Sequence, residues 1–489
     1  MKRLSAAIAP GKKRSIKVLQ FGEGNFLRAF VDYMLDIANE CGRFDGDIVI
    51  VKPIPYGSLE RFHDQDCRYT VLLRGMEDGK CVEKTRIITS VQDAVDCYTE
   101  YDQYAEYARL DSLRFIVSNT TEAGIVLDEE DQFTFTPPHS YPGKLTKFLF
   151  ERAEAFDYSL DKGLIILPVE LIDDNGIVLR QCVHALAAKW KLGERFTKWL
   201  DDACIFTSTL VDRIVTGYPR DEAEAIWQKL GYEDQLLDTA EPFGLWVIES
   251  QKDIRRDLPL PECGLPVLFT DNQKPYKQRK VRILNGAHTS FVPMAYLCGH
   301  DIVLEAMQDP MIKSFILDTL QNEVIPTLTL PKDDLVSFAQ AVISRFENPF
   351  IKHSLLAISL NSVSKWRARC MPSFLAYIRQ TGTLPSHLTF SIAALMALYQ
   401  GSGIQNGVML CKRDGKPYEI RDDAAVLQFF VNHSGQSPAE QAAAFLSNES
   451  FWGQDLAQID NLTQAVAKTL ADILQNGMQK TVAAYFTKN

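Results

Sequence analysis

The stretch VLQFGEGNFLRAF, residues 18–30, constrains the fold more than any other part of the sequence. It joins an apolar run typical of a buried strand to a segment, NFLRAFVDYMLDIANE, whose apolar residues recur at helical spacing. Gly22 and Gly24 lie at the turn between them. A strand, a glycine turn and a helix in this order indicate the first βα unit of a doubly wound α/β domain.

The same turn indicates a dinucleotide site. In a G-x-G-x-x-G loop the first glycine permits a tight turn, and the second lets a pyrophosphate approach N–H groups at a helix N-terminus. Gly22 and Gly24 have this spacing, but Leu27 stands where the third glycine is expected. Two glycines could also simply make a turn, so the loop alone leaves both interpretations open. Where an acidic residue usually holds the ribose, the second predicted strand ends at Lys52, which could contact a 2′-phosphate or point into solvent.

The order of apolar runs predicts two domains. Continuous apolar runs in the first half predict buried strands of a parallel sheet covered by helices. YTVLLRG (69–75) and TRIITS (85–90) are expected to pair antiparallel around the turn EDGK. After about residue 275 the patterns are helical, and we assign RDGKPYEIRDD (413–423) to a turn and a helix entry. We therefore predict an α/β fold with a Rossmann-type NAD-binding domain, 1–274, and a mostly α-helical substrate and catalytic domain, 275–489. The predicted strands are KVLQF (17–21), DIVIV (47–51), YTVLLRG, TRIITS, RFIVSN (114–119) and GLIILPVEL (163–171).

Composition excludes several other classes of protein. The net charge is −11, from 52 basic and 63 acidic residues, without the basic runs that neutralise a nucleic-acid backbone. The ten cysteines are scattered, without the C-x-x-C pairs of zinc or dithiol sites. No apolar run reaches the roughly 18 residues of a membrane helix, and charges at 12–14 interrupt the N-terminal stretch where a signal peptide needs an apolar core. We expect a cytoplasmic protein with neither a nucleic-acid nor a membrane partner.

A second candidate site is KVRILNGAH, which contains Lys280, Asn285 and His288. On a regular helix, the lysine and the histidine lie about 80° apart and the asparagine about 60° beyond the histidine. Such a lysine could exchange a proton with a carbinol oxygen, while the other two residues donate hydrogen bonds to the oxyanion. Spacing alone favours the alternative of a solvent lysine, a capping asparagine and a buried histidine.

Together the two motifs carry a family resemblance. The chain resembles the long-chain polyol dehydrogenase, or mannitol dehydrogenase, family, whose signatures G-x-G-x-F and K-x(4)-N-x-x-H stand here as GEGNF (22–26) and KVRILNGAH (280–288). The resemblance spans nearly the whole chain. Further stretches that carry it are QFGEGNFLRAFVD (20–32), SNTTEAGI (118–125), ELIDDNG (170–176), STLVDRIVTGYPRDE (208–222), KPYKQRKVRILNGAH (274–288) and RFENPFIKH (345–353).

The resemblance implies the cofactor NAD, no metal, and a small sugar-type substrate, and it leaves the oligomeric state open. It implies that Lys280 is the general acid/base, helped by Asn285 and His288. Asp212, Arg213 and Arg345 fall in motifs that border the substrate. Glu122 could border the nicotinamide or cap a helix, and Arg28 could face the pyrophosphate or pack on the surface. The implied cofactor-binding residues are Phe21, Gly22, Glu23, Gly24, Asn25, Phe26, Arg28 and Glu122.

The chain departs from the family pattern at two positions, and the second departure points to a sugar acid. Leu171 aligns with an asparagine that serves as an oxyanion donor in the mannitol enzymes, so Asn285 or a water would have to do more. Lys277 replaces a glutamate three residues before Lys280. A cation there suits a substrate carboxylate, which Lys277 or Arg345 would bind, although Lys277 could equally be a solvent lysine. Alternatives are another sugar-acid or mannitol specificity within the family, or a dinucleotide-sensing protein without catalysis.

Overall fold

The structure is a computed structural model that describes residues 1–77, 79–120 and 123–486. The chain forms two compact units, Met1–Gln273 and Lys274–Asn489. Within the described residues, none of the helices combines the length and the apolar character needed to span a bilayer. The assignment of one unit to the dinucleotide and the other to the substrate stays a prediction.

The strands are numbered in chain order. They are β1 Ile16–Phe21, β2 Asp47–Lys52, β3 Tyr69–Glu77, β4 Lys80–Ile88, β5 Val91–Asp96, β6 Phe115–Ser118, β7 Ile165–Pro168, β8 Ile205–Phe206, β9 Ser208–Asp212, β10 Val215–Gly217, β11 Asp238–Ala240, β12 Leu245–Glu249, β13 Val267–Thr270, β14 Gly401–Gln405, β15 Val408–Arg413 and β16 Lys416–Ile420.

The α-helices are numbered in the same way. Those of the first unit are α1 Asn25–Leu27, α2 Tyr33–Glu40, α3 Glu60–Asp64, α4 Tyr101–Glu106, α5 Tyr141–Ala155, α6 Asn175–Lys189, α7 Glu194–Ala203 and α8 Ala223–Leu230. Those of the second unit are α9 Lys274–Arg279, α10 Gly286–Leu297, α11 Val303–Gln308, α12 Pro310–Asp318, α13 Lys332–Phe346, α14 Leu355–Ile358, α15 Ser362–Arg369, α16 Met371–Thr381, α17 Ser386–Leu398, α18 Ala424–Asn432, α19 Pro438–Leu446, α20 Glu449–Trp452, α21 Leu462–Asn476 and α22 Met478–Phe486.

Shorter helical turns connect or extend these helices. Turns of the wide π type are Arg28–Asp32, Lys280–Asn285 and Thr319–Val324. Turns of the tighter 3₁₀ type are Tyr107–Arg109, Leu160–Lys162, Leu260–Cys263, Ile325–Thr327 and Leu456–Gln458.

The main sheet of the first unit is parallel and runs in the order β5-β2-β1-β6-β7-β8. The chain order reverses between β1 and β6, as in the doubly wound nucleotide-binding fold. Alternate residues of β2 enter two separate cores, because Ile48 and Ile50 pack on one face while Val49 and Val51 pack on the other. Burial on both faces explains why the strands read as continuous apolar runs.

The structure confirms the predicted fold class and most of the predicted elements. The strand, glycine turn and helix of the opening stretch are β1 and a continuous helix from α1 through a π turn to α2. β3 and β4 form the expected antiparallel pair, with Glu77 opposite Lys80. In the second unit, α17 is buried on all sides from Leu388 to Leu398, which fits its uninterrupted apolar sequence.

The second unit is not helical throughout, however. β14, β15 and β16 form an antiparallel sheet, and the stretch RDGKPYEIRDD lies mostly in the β15–β16 hairpin. Asp414 and Gly415 both have positive φ, 50° and 79°, at the turn. An Asp-Gly pair between alternating residues is a strong hairpin signal, so the expected helix entry was wrong for most of this stretch and the helix begins only at Ala424.

A cluster of buried polar side chains stabilises the first helix. Asp32 accepts a hydrogen bond from the Tyr69 hydroxyl at 2.6 Å and one from Gln20 Nε2 at 3.3 Å. The Arg28 guanidinium lies 5.3 Å from the centre of the Tyr69 ring and 3.7 Å from Asp238. Burial raises the pKa values of both Asp32 and Asp238 to about 7, although the Arg28 charge lowers them.

Replacing Asp32 with asparagine is expected to remove part of the pH dependence of stability. The folded pKa of about 7 lies above the unfolded value of roughly 4, so the folded state holds this proton more tightly. From this group alone, wild-type stability should fall by about 1.4 kcal/mol per pH unit as the pH rises from about 4 to 7. Asp32→Asn keeps an acceptor for the Tyr69 hydroxyl but carries no charge. Its free energy of unfolding, measured with urea, should therefore rise relative to that of the wild type over this pH range.

The matched control is Asp221→Asn, which removes an exposed carboxylate from the same unit. Its stability difference from the wild type should change little between about pH 5 and 8. A difference between Asp32→Asn and the wild type that stays constant over this range would contradict the linkage.

Candidate active site

A cleft of about 570 Å³ opens at the carboxyl edge of the main sheet, beside β1 and β6, where the chain order of the strands reverses. In open α/β sheets, ligands bind at this switch point. Residues from the segments that follow β1, β2 and β6, and from the start of α5, form its walls. They are Gly22, Glu23, Gly24, Pro53, Ile54, Asn119, Thr120, Ala123, Gly124, Val126, Leu127, Asp128, Glu129, His139, Ser140 and Tyr141.

Glycine suits the two positions of the loop for different structural reasons. Gly22 has φ +124°, and a Cβ there would lie 3.0 Å from the Asn119 carbonyl oxygen and 3.1 Å from Leu27 Cδ1. A Cβ at Gly24 would meet nothing within 4 Å, so the backbone there is open on the cleft side. The first glycine thus permits the turn and the second leaves room for a ligand beside a helix N-terminus.

Leu27 takes the place of the third glycine as a core residue. It is 1% exposed and packs against the loop at Gly22. The π turn Arg28–Asp32 follows immediately. A third glycine normally allows close helix–strand packing; here the helix accommodates a large apolar side chain at that position, with a wider turn beyond it.

The loop after β6 is held by a buried acid that sequence reasoning missed. Glu170 accepts hydrogen bonds from the Ser118 hydroxyl at 3.1 Å and from the backbone N–H and hydroxyl of Thr120, each at 3.0 Å. Burial raises the pKa of Glu170, while these hydrogen bonds lower it. The only signal in the sequence was that Glu170 lies near the end of the predicted strand 163–171, at the edge where ligands bind.

The other predicted cofactor residues divide into core and loop positions. Phe21 is buried and packs against Tyr141, with ring centres 5.1 Å apart. Phe26 is half-buried and stacks on Phe30 at 5.0 Å. Asn25 is exposed at the start of the helix. None of Phe21, Asn25 and Phe26 is among the described residues that line the cleft, and Glu122 lies outside the described residues.

Arg28 is held by contacts within the first unit. Its side chain is buried, and the guanidinium donates hydrogen bonds to the Leu236 carbonyl oxygen and to Asn25 Oδ1. Asp238 is its ionic partner at 3.7 Å. Of the two alternatives for Arg28, packing on the surface is wrong because the side chain is buried, and a contact with the pyrophosphate stays a prediction.

Lys52, at the end of β2, is neither exposed nor available to the cleft. Its Nζ lies 2.9 Å from Asp96 Oδ2 and donates to the carbonyl oxygens of Ile54 at 3.0 Å and Tyr56 at 3.2 Å. The side chain is 2% exposed. Of the two interpretations left open for Lys52, the one in which it points into solvent is wrong, and the ammonium has three acceptors for its three N–H groups.

Two further predicted residues, Asp212 and Arg213, are buried at the end of β9. Arg213 donates to the carbonyl oxygens of Phe243 at 2.9 Å, Ala29 at 2.7 Å and Pro242 at 3.3 Å. Burial lowers its pKa to about 10. These contacts hold Arg213 within the first unit, and a place for Asp212 and Arg213 beside the substrate stays a prediction.

The position that aligns with the family asparagine has no side-chain amide, because it is occupied by Leu171. Leu171 is 62% exposed and cannot donate a hydrogen bond from its side chain. Asn175, the nearest asparagine, is buried, and its Nδ2 donates to the carbonyl oxygens of Pro168 at 3.1 Å and Glu170 at 3.0 Å. Its Oδ1 accepts from the backbone N–H of Thr209 at 2.8 Å. Asn175 therefore holds β7 to β9 and has no amide hydrogen left for a substrate.

Two aspartates and a histidine beside the cleft lie close enough together to be considered as a metal site. Asp128, Asp131 and His139 could share a cation, since one ligand atom of each lies within 4.8 Å of the others. The Asp131 carboxylate, however, accepts hydrogen bonds from the Ser140 N–H at 3.0 Å and from its hydroxyl. Ser140 in turn caps α5, so these contacts explain Asp131 as a support of the helix N-terminus.

In the second unit, Lys280, Asn285 and His288 lie on one continuous helix that contains the π turn Lys280–Asn285. A π turn is closed by hydrogen bonds between residues five apart. It therefore brings Lys280 and Asn285 towards the same face, whereas a regular helix would leave the lysine as the outlier. All three residues are half-buried.

His288 lies in an aromatic and basic environment. Its ring stacks on Phe346 at 4.2 Å and meets His353 edge-on at 5.2 Å. The pKa of His288 lies well below its ordinary value because the ring is buried, with smaller contributions from His353, Arg345 and Arg369. Among the described residues, Nε2 is buried without a hydrogen-bond partner. A neutral imidazole with an unused nitrogen can donate to or accept from a ligand.

Basic side chains from several helices lie around this imidazole. Arg345 is buried near the end of α13. On α15, Arg369 donates to the Thr289 hydroxyl at 3.4 Å, and Lys365 donates to a backbone carbonyl oxygen at 2.9 Å. Lys277 lies on α9 and is half-buried, and its role as a carboxylate ligand stays a prediction. The positive charge near His288 suits an anionic ligand.

Comparison with known proteins identifies the family over most of the chain. The sequence profile of the mannitol dehydrogenase Rossmann domain matches residues 16–261, and that of the mannitol dehydrogenase C-terminal domain matches 272–474. Altronate oxidoreductases of Yersinia enterocolitica and Pectobacterium carotovorum are 46% and 45% identical to the chain, each over 99% of it and 100% of the relative.

Two solved structures share the fold at 21% identity. A substrate-free D-sorbitol dehydrogenase superposes with a TM-score of 0.80, covering 99% of this chain and 100% of the other. The mannitol 2-dehydrogenase of Pseudomonas fluorescens, in a ternary complex with NAD and D-mannitol, gives 0.68 and covers both chains fully. On the profiles and the identity to its relatives, the chain belongs to the mannitol dehydrogenase family.

Proposed function

We propose that the chain is an NAD-dependent oxidoreductase that interconverts altronate and tagaturonate. The observation that carries this proposal is the 46% identity, over 99% of the chain, to a protein named as an altronate oxidoreductase. The basic residues near His288 support it independently, because both sugar acids carry a carboxylate. Mannitol, by contrast, carries no charge that would call for them.

The cleft of the first unit fits a dinucleotide on its own geometry. Gly22 allows the loop to turn beneath Asn119, and the open side of Gly24 leaves space beside the N-terminus of the first helix. Glu23 and Thr120 line the same cleft, where Glu170 holds Thr120 in place. When bound there, the nicotinamide supplies or accepts the hydride.

The helix of the second unit provides the proton chemistry. In altronate oxidation, Lys280 takes the proton of the alcohol that becomes the ketone, and it returns the proton in the reverse reaction. Asn285 shares its face across the π turn and donates a hydrogen bond to the developing oxyanion. His288, which is neutral near pH 7, binds a hydroxyl of the sugar acid. Lys277 or Arg345 binds the carboxylate.

We further propose a cytoplasmic location and a small sugar acid as the partner. The ten cysteines are free thiols, buried or exposed, with no disulfide among them in the part of the chain that the structure describes. Free thiols are typical of a reducing compartment. The acidic composition supports neither nucleic-acid binding nor attachment to an anionic membrane.

A substrate panel tests the proposed reaction. Purified protein is assayed by NADH absorbance with tagaturonate, fructuronate and fructose, and in the other direction with altronate, mannonate and mannitol. We expect the highest kcat/KM for the tagaturonate and altronate pair. A preference for fructuronate or for mannitol would assign a different specificity in the family, and NADH binding without turnover of any of these would indicate a dinucleotide sensor.

Replacing Lys280 with methionine is expected to abolish proton transfer while preserving cofactor binding. The variant should lose about 10²- to 10⁴-fold in kcat, because a positioned acid/base contributes about that much. NADH affinity, measured by fluorescence titration, should be unchanged. Lys332→Met is the matched control, since Lys332 is exposed at the start of α13 in the same unit. A Lys280→Met enzyme with near wild-type kcat would contradict the assigned role.

Replacing Lys277 with glutamate tests carboxylate binding. The reversed charge should raise KM for tagaturonate by about tenfold or more, since a charge-assisted hydrogen bond contributes about 1.5–3 kcal/mol. The effect on an uncharged ketose such as fructose should be much smaller. Lys332→Glu makes the same charge change at an exposed position. An unchanged KM for the uronate would remove Lys277 from the site and leave Arg345 as the carboxylate ligand.

A further inference from the structure

The ribose end of the cleft carries an unusual charge arrangement. We propose that Glu23 is the residue that selects NAD over NADP, and that Asp96 enforces this choice by holding Lys52 away from the cofactor. The proposal rests on the proposed use of a dinucleotide by this cleft. It assigns a specificity role to an acid in the glycine loop, where the end of β2 provides a lysine instead of an acid.

Lys52 is the natural candidate for a 2′-phosphate ligand, and its contacts argue against that role. Its three N–H groups face Asp96 Oδ2 at 2.9 Å and the carbonyl oxygens of Ile54 and Tyr56 at 3.0 and 3.2 Å. The side chain is 2% exposed. Binding a phosphate would require breaking these contacts and exposing a buried ion pair, which is costly. Lys52 therefore shapes the segment after β2 and does not recruit NADP.

The position of Asp96 in the neighbouring strand places its carboxylate beside Lys52. It ends β5, and its backbone is in register with Lys52 of β2. Its other carboxylate oxygen, Oδ1, accepts a hydrogen bond from the Tyr98 N–H at 2.9 Å. The pKa of Asp96 is lowered overall, since these hydrogen bonds outweigh the opposing effect of burial. The carboxylate is thus ionised at neutral pH and matches the lysine charge.

Glu23 brings a further carboxylate to the cleft itself. It lines the cleft between Gly22 and Gly24, and the Gly22 N–H donates to the Val51 carbonyl oxygen at 3.0 Å. That hydrogen bond fixes the loop beside the end of β2, and Pro53 from the same end also lines the cleft. Burial raises the pKa of Glu23, and the charges of Lys52 and Arg28 lower it.

The charge balance distinguishes the two cofactors. The charges of Lys52 and Asp96 cancel each other in their ion pair. The carboxylate of Glu23 therefore gives this end of the cleft its negative charge. A carboxylate can accept a hydrogen bond from a ribose hydroxyl, as the acid at the end of the second strand does in other nucleotide-binding folds. A phosphate at the same place would bring about −1.5 to −2 further charges against it. The arrangement favours NAD and opposes NADP.

Direct binding measurements test this without any sugar substrate. Isothermal titration of the full-length protein with NADH and with NADPH gives two dissociation constants for each variant. The wild type should bind NADH at least about tenfold more tightly than NADPH. Glu23→Gln should reduce this ratio about tenfold, by weakening NADH binding and improving NADPH binding. Asp96→Asn, which leaves Lys52 without its counterion, should also improve NADPH binding.

Glu224→Gln is the matched control, because Glu224 is exposed on α8 of the same unit, is not among the described residues that line the cleft, and its loss changes the net charge equally. Its NADPH-to-NADH ratio should equal that of the wild type. An equal shift in Glu23→Gln and Glu224→Gln would reduce the effect to net charge and overturn the proposal. So would an unchanged ratio in Glu23→Gln.

Lys52→Met separates the two roles of the lysine. If Lys52 bound a 2′-phosphate, the variant would lose NADPH affinity specifically, which would contradict the proposal; we expect no such selective loss. Should this variant fail to fold, Glu23→Gln and Asp96→Asn still decide the matter. Tight NADH binding with no turnover of sugar acids would defeat the proposed reaction but leave this inference standing, whereas binding of neither cofactor would defeat both.

Discussion

The approach of the glycine loop to the neighbouring strands is the constraint on which the candidate cofactor site depends. At Gly22 the chain leaves β1 with a backbone conformation that side chains rarely adopt. Its N–H is bonded to the end of β2, and a Cβ would press on the carbonyl oxygen that follows β6. A single residue thus joins the ends of three strands. The sheet therefore fixes the conformation of the loop that forms this wall of the cleft.

The fold could be predicted from the sequence wherever burial is simple. The strands of the parallel sheet are buried on both faces, so a continuous apolar run such as DIVIV identifies them without knowledge of their partners. The helix after the glycine loop likewise follows from its apolar spacing. The β15–β16 hairpin could have been predicted too, since Asp414 and Gly415 form a turn whose chemistry is local.

The polar residues around the site could be predicted much less well. Motifs identified Lys280, Asn285 and His288, but the roles of Arg28, Arg213 and Glu170 depend on partners far away in the chain. Arg28 and Arg213 donate hydrogen bonds to carbonyl oxygens of distant segments. Glu170, which follows β7, accepts hydrogen bonds from residues at the end of β6. Nothing in local composition distinguishes such a buried charge from a solvated one. Its burial is tolerated only because the tertiary fold supplies hydrogen-bond partners.

The π turn in the second unit has a consequence for how this enzyme family can change. A π turn amounts to one additional residue accommodated within an α-helix. Deleting one residue inside this turn would let the helix become regular and would keep Lys280 and His288 at nearly their present angle, because the turn absorbs the extra residue. The wide turn therefore lets the segment hold one more residue than a regular helix would hold between the same two faces. A relative without the π turn would present these two side chains in the same relation only with one residue fewer between them.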